Sequence, residues 1–219
     1  MSLATLLLLA DGRLPSGGHA HSSGLEAQVV AGRVADVGDL DRFLRGKLAT
    51  TGLVAAAFAA AACAAKASAA DRWAELDAGL DARTPSPALR KASRAQGRAL
   101  LRAGRAMWPI SGNIGREPHQ PIALGALAAA AGLDAHQVAV AAAHGTVTGP
   151  ASAAVRLLGL DPYGVHALLA RLAPECDRIA ALAAEKKNAP VDDLPAVGAP
   201  LLDIGAEHHA TWEVRLFAS

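Results

Sequence analysis

Two pairs of histidines are the side chains best suited to chemistry in this sequence. His19 and His21 stand two apart in the segment LPSGGHAHSSGLE, Leu14 to Glu26, and His208 and His209 are adjacent near the other terminus. Imidazole suits nickel, copper or zinc, and two pairs could close a four-nitrogen site. No spacing matches a dedicated ligand motif such as His-Glu-x-x-His. Eight histidines in 219 residues are also enough for pairs to arise by chance. The plainer reading is that they hydrogen-bond within a loop and a tail. The glycines of the same segment raise a phosphate cradle, but a P-loop ends in Gly-Lys-Ser/Thr, and here Gly17-Gly18 runs into His19-Ala20. A serine-hydrolase elbow needs Gly-x-Ser-x-Gly, and neither Ser22 nor Ser23 has a glycine two residues before it. A metal site and a surface laid out for another protein both stay open for this segment.

Composition narrows the classes further. Apolar residues make up 52% of the chain and aromatics only 3%, so the interior is built from Ala, Leu and Val, which favours close helix–helix contact over strands. Twenty-one basic residues against 20 acidic ones give a formal charge of +1, and no basic stripe interleaves with aromatics. Nucleic acid is therefore excluded as a partner class. Cys63 and Cys176 lie far apart in helical contexts and read as small core hydrophobes in a reducing compartment. The longest apolar run, Leu53 to Ala65, is well short of the ~20 residues a bilayer span needs. The N-terminal MSLATLLLLADGR lacks a positive n-region, so no signal peptide and no membrane partner are expected, and the location expected is cytoplasmic.

The elements that must position these residues are helices. Ser2 to Ala10 reads as a short one entering the Gly-rich loop. Leu25, Val29 and Val30 fall at helical spacing before a reversal at Gly32, and Asp36 or Asp39 caps a long apolar region running through Ala70. Asp71 to Leu80 continues as a further helix, and DARTPSPAL is a linker with a serine placed to cap Ser86 to Met107. That helix carries Arg90, Arg94, Arg98, Arg102 and Arg105 near i,i+4 spacing, the pattern of a solvated or partner-facing edge. Ile122–Ala131 and Asp134–Thr148 form two more helices. Gly149-Pro150 ends or kinks the second, and Pro162 and Pro174 each begin a new one. The expectation is an all-α, compact single-domain bundle of about eight to ten helices over residues 1–219, with a tail of different composition at 188–219. Within that tail Leu201, Leu202, Ile204, Trp212, Leu216 and Phe217 concentrate large apolar surface. Arg215, beside Leu216 and Phe217, has the planar donor fork of a binding anchor; the competing reading docks Leu216 and Phe217 on the chain's own core.

Five blocks together resemble the urease accessory protein UreF family in order: ADGRLPSGGHAHSSGLE, RKASRAQGRALL, HQPIALGALAAAAGL, ASAAVRLLGL and LLDIGAEHHATWEVRLFAS. They span about Leu6 to Ser219, and the first and last are the most specific. The resemblance implies an all-helical, non-enzymatic adaptor, acting as a homodimer in urease maturation. It would bind UreD (also called UreH), and the two would recruit the GTPase UreG and support nickel insertion into apo-urease. No tightly bound cofactor is implied, since nickel is handled by the complex. The partner-binding positions so implied are Pro15, Gly17, Gly18, His19, His21, Ser22, Gly24, Glu26, Arg156, His209, Arg215, Leu216, Phe217 and Ser219. The sequence departs from the family pattern at His19, where an aromatic is usual, at Ala210, where a glutamate is usual, and in LLGLDPYG, which lacks a Gly-Gln pair. Two other roles are weighed: Arg215 or Arg156 as an arginine finger regulating UreG, and His19, His21, His208 and His209 as a direct nickel carrier. An Ala-rich surface at Leu124 to Thr148 is the expected dimer face.

Overall fold

A computed structural model describes residues 2–65 and 70–218. Among them the chain is helical without strands: α1 (Leu3–Ala10), α2 (Leu25–Val30), α3 (Val37–Lys47), α4 (Leu53–Ala64), α5 (Ala70–Ala82), α6 (Pro87–Arg105), α7 (Gln120–Ala130), α8 (Ala135–Leu158), α9 (Pro162–Glu185) and α10 (Pro200–Ala210). The caps fall where short polar residues precede apolar periodicity. Asp36, Ser86 and Asp161 each accept backbone N–H groups of the helix they open, and Asp134 forms a reciprocal capping box with Gln137. The apolar region after Asp36 is interrupted by a π-turn at Leu48–Gly52. The expected continuation to Ala70 crosses residues 66–69, which lie outside the described residues.

At the centre lies α4, whose Val54 and Ala56–Ala62 are buried under α7, α8 and α9. Alanine and glycine let these helices approach closely. A Cβ added at Gly125 of α7 would stand 2.4 Å from the Ala59 carbonyl oxygen and 2.8 Å from the Cys63 backbone nitrogen, both in α4. The chain's alanines are therefore spent inside. Residues 121–128 of α7 are buried, as are Val138, Ala139 and Ala141–Ala143 of α8. Of the dimer face expected at Leu124 to Thr148, the α7 part through Ala128 is core, whereas His136, His144 and Gly145 of α8 are exposed. Val37–Ala64 and Ala135–Leu158 are long and apolar enough to cross a membrane by composition, yet more than half of each apolar window is buried by protein. Burial also pushes the Cys63 and Cys176 thiols up to about 11, which suits inert core residues.

Neither of two inner prolines ends its helix. Pro150 is buried inside a continuous α8, and Pro174 lies within α9 instead of opening a new helix. Each removes one backbone donor, and the packing of α8 against α4 and α9 outweighs that loss. The arginine row of α6 is also only partly a solvated edge. Arg94 pairs with Asp77 at 2.9 Å and Asp81 at 2.6 Å on α5, and Arg98 pairs with Glu117 at 2.9 Å, while Arg102 and Arg105 are exposed.

The same acids organise His119, which is fully buried. Its backbone N–H donates to Asp77 at 2.7 Å, its Nε2 donates to Asp81 at 2.8 Å, and its Nδ1 meets the Ser93 hydroxyl at 2.9 Å. Burial holds the His119 imidazole below its ordinary pKa, against the pull of Asp81, and burial does the same to His21. For a histidine depressed in the fold, the unfolded chain takes up more protons as pH falls through about 6.5, so stability declines there. Thermal melts are expected to give a lower Tm at pH 5.5 than at pH 7.5. An equal or higher Tm at pH 5.5 would contradict this assignment.

Candidate partner-binding site

The Gly-rich loop, the end of α8, α10 and the C-terminal segment meet at one place, and a single carboxylate ties them. Glu26 lies in the first turn of α2, where the helix dipole favours negative charge. It is only 5% exposed. Its Oε2 accepts from His209 Nε2 at 2.8 Å and from the Phe217 backbone N–H at 3.0 Å, and its Oε1 accepts from the Leu216 N–H at 2.7 Å. His209 sits in the last turn of α10, buried, with the Trp212 ring 4.7 Å away centroid to centroid. The Ser22 hydroxyl accepts the Glu26 N–H at 3.1 Å, and the Ala218 N–H donates to the Ala20 carbonyl at 2.6 Å. Charge-assisted bonds to two consecutive amides fix the tail's backbone as well as its side chains.

From the other side, Arg156 at the end of α8 lies 4.5 Å over the Phe217 ring and donates to the His19 carbonyl at 3.1 Å. Such a stacked guanidinium holds tail and loop together. Arg156 is thus engaged within the chain, a poor position for a finger reaching into another protein. Gly24 supplies a left-handed turn (φ +88°) where an added Cβ would meet Leu202 of α10 at 3.4 Å, so loop and tail helix close on each other. Gly17 is left-handed too (φ +79°), while Pro15, Gly17, Gly18 and His19 are exposed and His21 is half-buried.

The implied partner residues therefore divide. Ser22, Glu26, His209 and Phe217 are buried and shape the junction from within. Arg215 and Leu216 face outward beside Val214, with Val214 89% and Leu216 56% exposed. Ser219 lies outside the described residues. Of the tail's apolar positions, Leu201 and Ile204 are exposed on α10, whereas Leu202 is buried. The histidine pairs do not build the four-nitrogen site: no group of three or more His, Cys, Asp or Glu suited to a metal ion occurs among the described residues, and His209 is committed to Glu26.

Sequence reasoning missed how α10 and the segment before it are seated. Glu207 of α10 accepts from the Ser86 hydroxyl and from the Ala88 N–H at 2.8 Å, capping α6 with a carboxylate from the tail. The Ser86 bond, then the Ala88 bond, hold the Glu207 carboxyl below its usual pKa. Arg83 donates to the carbonyls of Val191, Leu194 and Pro195 and lies over Phe58. The one legible signal was the free carboxylate and arginine themselves; their partners lie more than a hundred residues away.

The fold and this junction define an all-helical protein whose N-terminal loop and C-terminal tail are locked into one surface. The UreF family model matches residues 34–173. The chain is 48% identical over 220 residues to the urease accessory protein UreF of Mycobacterium sp. (strain JLS), covering all of this chain and 99% of that protein. It is 46% identical to that of Mycolicibacterium vanbaalenii and 41% identical to that of Mycobacterium tuberculosis (strain H37Rv), with the same coverage. The chain belongs to the UreF family.

Proposed function

We propose that this chain is a non-catalytic adaptor in urease maturation, which with UreD (UreH) recruits the GTPase UreG in the cytoplasm and supports nickel insertion into apo-urease. The supporting observation is the junction: Phe217 is pinned inside, so Val214, Arg215 and Leu216 are presented outward on a fixed backbone. A tail whose backbone is already fixed loses less freedom on docking, and an arginine beside aliphatic surface is a common binding anchor. Leu201 and Ile204 of α10 extend that apolar surface. Nickel is the cargo of the assembly in this reading, without a tight site on this chain. Self-association is placed on the outer face of α1, where Leu3, Leu7 and Leu8 are exposed.

Co-expression with UreD and UreG tests the reading. The full chain is expected to copurify with both and to sediment as a dimer alone, becoming monomeric when Leu3 and Leu7 are changed to Glu. Failure to copurify with UreD would overturn the adaptor reading, and a dimer unaffected by the α1 changes would overturn the placement. A second reading, regulation of UreG by an arginine finger, is favoured by Arg215, which is exposed and makes no ion pair among the described residues. Unchanged GTP turnover of the complex carrying Arg215→Ala would eliminate it.

A further inference from the structure

Two adjoining clefts open into the fold, one of about 630 Å³ and one of about 200 Å³. The first runs from the Gly-rich loop along α8; the second lies under Leu202 and Asp203 of α10 beside α6. Six residues line both: Ser23, Lys47, Ala55, Gln96, Gln120 and Thr146. This shared wall is rich in hydrogen-bond donors and holds no carboxylate. The side chains of Lys47, Ser23, Gln96 and Gln120 make no hydrogen bond or ion pair among the described residues. Elsewhere on the two linings, Asp11 is paired with Arg13, Asp203 accepts from Ser86, Arg83 is satisfied by backbone carbonyls, and Arg156 is held by His19 and Phe217.

Lys47 therefore carries a charge that nothing in the wall balances. Enclosure lowers its ammonium to about 8, with no neighbouring acid to offset the loss of water. The backbone adds an independent sign. Ser23 has φ +55°, the one left-handed non-glycine residue among those described, and its hydroxyl stands on the shared wall. Strain of this kind persists where surrounding structure holds a side chain in place for use.

We propose that the wall shared by the two clefts is a binding site for a small tetrahedral oxyanion of the inorganic phosphate class, with Lys47 as the counter-charge and Ser23, Gln96 and Gln120 as neutral donors. The four donors come from four places in the chain: the loop before α2, the end of α3, the middle of α6 and the start of α7. Donors supplied to one wall by separate elements suit an ion bearing acceptor oxygens on all sides. A carboxylate, with acceptors along one edge, would use fewer of them.

Calorimetric titration of the full chain with sodium phosphate at pH 7, with ionic strength held constant by NaCl, tests this. Saturable one-to-one binding is expected, at least about tenfold weaker for acetate and about tenfold weaker for Lys47→Gln, a loss on the scale of one charge-assisted contact. Without phosphate Lys47→Gln is expected to melt no lower than the parent chain, because it removes an uncompensated charge. Ser23→Gly, which relieves the left-handed backbone while deleting the hydroxyl, is expected to weaken phosphate several-fold and carries the test if the lysine variant does not fold. The proposal is overturned by the absence of saturable phosphate heat, by acetate binding equally well, or by both variants binding like the parent.

Discussion

Glu26→Ala is expected to detach the C-terminal segment and to cost about 3 kcal/mol or more of stability. The substitution strands three donors at once: the His209 ring nitrogen and the amides of Leu216 and Phe217. A buried donor without a partner costs ~1–3 kcal/mol, and these three share one carboxylate, so the losses are coupled rather than summed. Phe217 is then held only by the Arg156 stack and its own burial, and the Ala218 amide at Ala20 is weakened with it. Tryptic cleavage after Arg215 should quicken and hydrogen exchange at Leu216 and Phe217 should rise sharply, together with a drop in Tm. Glu26→Gln, which keeps an acceptor oxygen, should fall between. Unchanged protection of the tail amides in Glu26→Ala would show that the carboxylate does not hold the junction.

The second large effect belongs to the core. Gly125→Ala places a Cβ against three α4 atoms at 2.4, 2.6 and 2.8 Å: the Ala59 oxygen, the Ala62 Cβ and the Cys63 nitrogen. None is the movable end of a side chain, so α7 must shift away from α4, and overpacking of this kind is expected to cost about 3 kcal/mol. Gly145→Ala is the control. It lies in α8, with nothing within 4 Å of an added Cβ, and is expected to stabilise by ~0.5–1 kcal/mol through helix propensity alone. Chemical denaturation of the two variants should move the midpoints in opposite directions, and two equal midpoints would mean that α4 and α7 are not in close contact.

What could be read from the sequence was what depends on neighbours along the chain. Ser86 caps the helix it was expected to cap, Pro162 opens α9, and Gly32 reverses the chain after α2 in a left-handed conformation. Positions that depend on distant partners were read less well. Pro174 has the local signature of a helix start, yet α9 runs through it because Leu172, Cys176 and Ile179 are buried on either side. The apolar tail read either as an exposed association surface or as a segment docked on the chain's own core. Half of it turns inward, because a carboxylate in the first turn of α2 and a guanidinium at the end of α8 receive it. Lys47 gave no signal at all, since a lysine at the end of an amphipathic helix is ordinarily solvated.

The junction also changes how docking should be probed. A chain ending at Ala206 would remove His209 and Phe217 and leave Glu26 buried without its partners, so lost binding would mix damage with contact. Surface changes on the intact tail separate the two. The decisive measurement is the affinity of UreD for the full chain and for the double variant Arg215→Ala, Leu216→Ala, with the Tm of each recorded. Both side chains face solvent, so the Tm should stay within about 1 °C, while loss of a central arginine and its apolar neighbour should weaken UreD at least about tenfold. Undiminished affinity in a variant of unchanged Tm would contradict the tail as the docking surface and move the interface to the helical body.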